Sequence, residues 1–159
     1  MPSPGSHSWF TRNLLRTRVF VSVGRSALLS TIRVLLADDS IQVREYVRAF
    51  LSNGCCEVVR AVGDGQTAVV AAAETQPDVV VLDLSMPVLN GIEAAKRILK
   101  AKPSTKIVFL SVEKDRDSCS AALQVGACGY VLKPRMLSDL LPAIKLAIDG
   151  MRFVSPGCE

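Results

Sequence analysis

Five short apolar runs, each the length of a strand, alternate with five segments long enough to be helices. No other feature of the chain limits its fold so much. The runs are IRVLLA (32–37), EVVRAV (57–62), DVVVLDL (78–84), KIVFLSV (106–112) and GYVLK (129–133). Most are nearly unbroken by polar residues, which is the pattern of strands covered on both faces. Between them, SIQVREYVRAFLSNG opens on Ser40, a good N-cap, and closes at Asn53-Gly54. GQTAVVAAAETQP stops at Pro77, and NGIEAAKRILKAKP carries Lys and Arg in its last turns before Pro103. DRDSCSAALQVG and MLSDLLPAIKLAIDG are the fourth and fifth, with Pro142 read as lying near the first turn of the last, where a missing N–H costs least. Strict β-then-α alternation predicts an α/β protein: a five-stranded parallel sheet, doubly wound, with helices on both faces.

With 159 residues, 49% of them hydrophobic, the chain has material for one core and little room for two. It lacks any run of about 18 apolar residues, which excludes a transmembrane helix. The five cysteines, Cys55, Cys56, Cys119, Cys128 and Cys158, are odd in number and show no C-x-x-C spacing. They read as small buried hydrophobes or plain thiols in a reducing, cytoplasmic setting. The net charge of +4 comes from Arg12, Arg16, Arg18 and Arg25; from residue 33 onward acids and bases balance, so no basic nucleic-acid face is expected. Residues 1–31, Ser- and Arg-rich and free of acids, read as a basic N-terminal extension expected to be disordered, although their composition also resembles a transit peptide. The sole His7 and sole Trp9 lie there and are poor catalytic candidates. Residues 32–150 form the expected domain, and 151–159 the expected start of a C-terminal linker.

Right-handed crossovers place every strand's carboxyl end at one edge of such a sheet, where ligands bind. The polar residues that interrupt the apolar runs fall at that edge: Asp38 and Asp39 after the first strand, Asp83 at the third, Ser111 at the fourth and Lys133 at the fifth. Any one of them reads equally well as a helix cap or a solvated turn. Together, three carboxylates, a hydroxyl and an ammonium make a site. The carboxylates repel one another, and a hard, oxygen-preferring cation such as Mg²⁺ relieves that repulsion. Asp83 is then a candidate nucleophile toward a phosphoryl group, with Lys133 as a point charge and Ser111 as a hydrogen-bond donor.

VLLADDS, VVVLDLSMPVLNGIEAA, IVFLS and GYVLKP, in this order and spacing, resemble the receiver domain of two-component response regulators over about residues 32–150. The resemblance implies a flavodoxin-like fold. It also implies that Asp83 is the phosphoacceptor, that Asp38 and Asp39 organise Mg²⁺, and that the Ser85 carbonyl is a further metal ligand. Ser111 and Lys133 take the positions that follow and bridge to the phosphoryl group, and Tyr130 that of the aromatic switch. Pro134 falls where the family often has a cis peptide bond. Ser85 and Glu113 stand where the family tunes dephosphorylation. AIDGMRFVSPGCE resembles the exit from the last receiver helix in NarL/LuxR-type regulators, after which a linker and a DNA-binding domain would follow. The implied partners are a sensor histidine kinase or phosphotransfer protein, and a second copy meeting the fourth helix, fifth strand and fifth helix. Direct nucleic-acid binding by this chain and membrane contact are not expected. Nor is enzymatic turnover beyond self-directed phosphotransfer and autodephosphorylation.

Other readings compete. Gly63-x-Gly65-x-x-Ala68 after a strand is close to a dinucleotide-binding fingerprint and would suit an oxidoreductase fragment. A haloacid-dehalogenase-type phosphatase expects a second Asp two residues after the nucleophile, where this chain has Ser85. A receiver-like interaction module that works without phosphorylation is the third alternative.

Overall fold

The computed structural model describes residues 30–158; the expected N-terminal extension, with His7 and Trp9, lies outside the described residues. The chain alternates β1 (Ile32–Ala37), α1 (Ile41–Ser52), β2 (Cys56–Val62), α2 (Gly65–Thr75), β3 (Val79–Leu82), α3 (Gly91–Ala101), β4 (Lys106–Ser111), α4 (Arg116–Gln124), β5 (Gly129–Leu132), α5 (Met136–Ile148) and β6 (Phe153–Val154). A single 3₁₀ turn, Lys133–Arg135, joins β5 to α5.

The sheet is wholly parallel with strand order β2-β1-β3-β4-β5-β6. Successive side chains on each strand point to opposite faces, so a nearly all-apolar strand feeds two cores. Leu35, Val80, Leu82, Ile107, Phe109 and Tyr130 pack on one side against α2, α3 and α4. Val34, Leu36, Val79, Val81, Val108 and Val131 pack on the other against α1 and α5. On α2 the buried contacts are Ala68, Ala71 and Ala72. These small side chains leave an apolar pocket of about 280 Å³ between α2 and α3, lined by Val69, Ala72, Ile98 and Ala101 near the amino ends of the strands.

Local chemistry starts each of the first four helices. Ser40, Asp64, Asn90 and Asp115 each accept a hydrogen bond from the backbone N–H three residues on, which satisfies one of the free donors at the helix start.

Three expectations are corrected. The sheet has six strands, not five: Phe153–Val154 pairs in parallel with β5, opposite Gly129 and Tyr130. Every peptide bond among the described residues is trans, including the one before Pro134. Pro142 is the seventh residue of α5 rather than a first-turn residue. Its ring is exposed, so water can reach the carbonyl that loses its partner.

The sixth strand is missed by pattern because two residues carry no period. Its hold on the sheet is polar. The fully buried Ser155 donates its backbone N–H to the Tyr130 carbonyl (2.8 Å) and its hydroxyl to Asp139 Oδ2 (2.6 Å), and its Oγ accepts the Leu132 N–H (3.1 Å). Asp139, on α5, also accepts from Arg135 Nε (2.8 Å) and Ser138 Oγ (2.7 Å). Burial alone would raise the Asp139 pKa, but the hydrogen bonds from Ser155, Arg135 and Ser138 outweigh it and hold it below the ordinary 3.8. A depressed folded-state pKa contributes stability that is present above the unfolded value and lost as pH falls through the folded one. Asp139→Ala, which removes the acceptor of three hydrogen bonds and strands the buried Ser155 hydroxyl, is therefore expected to cost about 2–3 kcal/mol in urea unfolding at neutral pH. The gap to the parent chain should narrow as the solution is acidified below the ordinary carboxylate value.

Candidate functional site

The strand order changes direction between β1 and β3, because β2 lies to one side of β1 and all later strands lie to the other. The loops leaving the carboxyl ends of these two strands therefore part, opening the crevice in which such sheets bind ligands. The β-ladder continues one residue past each strand here: the Asp38 N–H donates to the Val62 carbonyl (3.1 Å) and the Asp83 N–H to the Ala37 carbonyl (2.9 Å). Asp38 and Asp83 are thus fixed by the sheet although they stand just beyond it. Both are buried, at 0% and 5% exposure, and Asp39 beside them is exposed. One oxygen from each of the three carboxylates lies within 4.8 Å of the others.

Lys133 answers this concentration of charge. Its Nζ is 2.8 Å from Asp38 Oδ2 and 3.1 Å from Asp83 Oδ2. Asp38 Oδ2 is fully buried, and the Lys133 ammonium is the charge that answers it. Burial pulls the Lys133 pKa down, but the hydrogen bonds and charges of Asp38 and Asp83 more than offset this, and the net shift is upward. Asp83 is pushed up as well, first by burial; the attraction of Lys133 opposes this and the charge of Asp38 adds to it. One ammonium between two carboxylates, with a third alongside, leaves the cluster short of positive charge. Hard oxygen donors at this spacing suit a divalent cation of the Mg²⁺ kind.

Around this cluster, the Ser85 N–H donates to Asp83 Oδ1 (3.3 Å) and the Ser40 N–H to Asp38 Oδ1 (2.9 Å). Ser111, Glu113 and Tyr130 form a second, linked group. The Glu113 N–H donates to Ser111 Oγ (3.0 Å), and the Tyr130 hydroxyl donates to the Glu113 carbonyl (2.7 Å). The Tyr130 ring is fully buried, and burial pushes its hydroxyl up to about 12. Among the described residues no hydrogen bond joins this group to Asp83. Ser85 and Glu113 both line a cleft of about 420 Å³ that also includes Asn90 and Ser118.

Two parts of the site escape a reading of the sequence. Arg44 on α1 donates to the Asp38 carbonyl (2.6 Å) and so fixes the backbone that presents the acidic pair. Gly91, at the start of α3, lies so close to Asp83 that a β-carbon there would be 2.1 Å from the Asp83 carbonyl oxygen. The only signal for it in the sequence is the Asn-Gly of SMPVLNG. Gly65, the second glycine of the dinucleotide-like pattern, has a similar explanation: a β-carbon there would be 1.9 Å from the Leu89 carbonyl oxygen. Protein backbone fills the space above that glycine, where the fingerprint would require a pyrophosphate.

Comparison with known proteins agrees with this geometry. The family described as "Response regulator receiver domain" matches residues 34–145. The chain belongs to the response regulator receiver family. It is 39% identical to the transcriptional regulatory protein PdtaR of Mycobacterium tuberculosis, over 77% of this chain and 60% of that protein. Among solved structures, a two-component response regulator of the LuxR family from Aurantimonas is 34% identical with a TM-score of 0.76, covering 80% of this chain and 91% of that one. The isolated receiver domain of RcsB from Salmonella enterica, solved with the phosphomimetic BeF₃⁻, is 27% identical with a TM-score of 0.74, covering 80% and 96%. The chain spans about six tenths of the length of the curated relatives it matches. Receiver domains are signalling modules, and no helix among the described residues is long and apolar enough to cross a membrane.

Two substitutions test this account of the site. The Asp83 carboxyl titrates above its unfolded value, so its contribution to stability is fully present at low pH and is lost as pH rises. Asp83→Asn should therefore raise the thermal midpoint at neutral pH, with the gain vanishing below the ordinary value of 3.8. Gly91→Ala forces backbone apart beneath Asp83 and should destabilise the fold by about 3 kcal/mol in urea unfolding.

Proposed function

We propose that this receiver domain takes a phosphoryl group onto Asp83 and signals by the conformational change that follows. The observation that carries the reading is the grouping of Asp83, Asp38 and Asp39 within 4.8 Å at the switch point of the sheet, with Lys133 ion-paired to the first two. A carboxylate oxygen of Asp83 attacks the phosphorus of the donor, the bond from phosphorus to the donor's nitrogen or oxygen breaks, and the leaving group takes up a proton from solvent. Hydrolysis of the resulting acyl phosphate returns the carboxylate. Asp38, Asp39, Asp83 and the Ser85 carbonyl are the residues that would hold Mg²⁺, which supplies charge neutralisation for the transferred oxygens.

In this reading Lys133 follows the new negative charge, and Ser111 donates its hydroxyl to a phosphoryl oxygen. Such a shift breaks the Ser111–Glu113 contact, and Tyr130, hydrogen-bonded to the Glu113 carbonyl, senses it. Ser85 and Glu113 line the cleft from which water approaches and so set how long the acyl phosphate lasts. The donor is a sensor histidine kinase or phosphotransfer protein in the cytoplasm. The output passes through protein contacts, including a homodimer across α4, β5 and α5, and this chain does not bind nucleic acid directly. No turnover of an external substrate is expected.

Intact-protein mass spectrometry after incubation with acetyl phosphate and Mg²⁺ tests the proposal. The expected result is a gain of one phosphoryl group that needs the metal and disappears in Asp83→Asn. A folded chain that gains nothing under these conditions would instead be an interaction module that works without phosphorylation.

A further inference from the structure

Two of the cysteines, far apart in sequence, meet in the core. Cys119 is a buried residue of α4 and Cys158 lies beyond β6; both belong to the cluster that also holds Tyr130 and Leu132. Backbone geometry brings Cys158 there. β6 runs along β5 with Val154 opposite Tyr130, and the Ser155 N–H on the Tyr130 carbonyl (2.8 Å) carries the ladder one residue further. Gly157 then turns at φ +102, a conformation that side chains disfavour, beside the end of the Leu132 side chain. Leu132 and Tyr130 face the side of the sheet that α4 covers, so the residue after that turn points to α4. The Cys158 thiol reaches the Cys119 thiol and hydrogen-bonds it.

The other three cysteines make no such pair. Cys55 and Cys56 are adjacent, and a trans peptide holds their Cα atoms about 3.8 Å apart, closer than an ordinary disulfide spans. Cys128 packs against the opposite core. Burial pushes the Cys119 and Cys158 thiols above the ordinary 9.0, and the charge of Asp115 adds to this. Their shared hydrogen bond lowers Cys119 and raises Cys158, so Cys119 is the first to ionise. β6 pairs only two residues with β5, and local opening there admits a small oxidant.

We propose that Cys119 and Cys158 are a preformed dithiol that a peroxide oxidises to a disulfide, tying α4 to the segment after β6. The Cys119 sulfur attacks one peroxide oxygen and the O–O bond breaks, which leaves a sulfenic acid on Cys119 and, after proton uptake, releases water. The Cys158 sulfur then attacks the Cys119 sulfur, the S–O bond breaks and a second water leaves. Two thiols and one hydrogen peroxide thus become one disulfide and two waters, and a reducing dithiol reverses the change. None of this uses the phosphoryl site, so a failure of phosphoryl uptake at Asp83 leaves the test readable.

The reduced full-length chain would be treated with hydrogen peroxide, blocked with iodoacetamide and digested without reductant for peptide mass spectrometry. The expected product is a Cys119 peptide joined to the Cys158 peptide, lighter by two hydrogens than the two apart and separated by dithiothreitol. Exposed Cys55 should be recovered alkylated. Cys128 lies close to Cys119 in sequence, so fragment masses are used to place the link at Cys119. A link that fits the native pair should raise the thermal midpoint of the oxidised chain by at least about 5 °C, reversibly, and Cys158→Ser should abolish the rise. Recovery of Cys119 and Cys158 in separate alkylated or overoxidised peptides would overturn the proposal. So would a link at Cys128, or a midpoint that falls as the link forms.

Discussion

Two buried carboxylates share one ammonium. Lys133 sits between Asp38 and Asp83, and the position of each of the three is set by a different strand of the sheet. Removing two carboxylates from water is unfavourable, and a single cation at about 3 Å only partly offsets that cost. The fold supports the arrangement with structure that cannot relax: ladder bonds into both aspartates, the Arg44 clamp on the Asp38 carbonyl, and α3 seated on the Asp83 backbone through Gly91. The charge imbalance that remains is what suits the site to a cation.

The alternation of strands and helices was legible because each apolar run is long enough to have a character and each helix is bounded by a capping residue or a proline. The site was legible for a related reason. In a parallel sheet the residue after the last apolar one must face the ligand edge, so Asp38, Asp83 and Lys133 were found by where the runs end. Arg44 and Gly91 were not found this way, since their importance lies in contacts with backbone distant in sequence. The sixth strand was hidden for the opposite reason to the others. Phe153–Val154 is too short to show a period, lies next to a Ser-Pro-Gly stretch that reads as a loop, and is held by the side-chain bonds of Ser155.

β5 is where these features meet. Its backbone carries Tyr130, leads into Lys133 at one end and bears β6 along its outer edge. Leu132 gives its N–H to Ser155, and the next residue is the ammonium that holds Asp83. In the proposed function, a displacement of Lys133 by a new negative charge would begin one residue from the contact that anchors β6, with no helix or loop between them. Such coupling would need only the stiffness of one strand.

The pocket between α2 and α3 lies near the amino ends of the strands, away from the carboxylates. It opens to solvent between exposed Ala73, Gln76 and Ala101, whereas the carboxyl edge is tied by hydrogen bonds and ion pairs. The domain is therefore uneven from end to end: a larger side chain at the alanine-rich end meets water, and one at the carboxyl edge meets fixed charge and backbone.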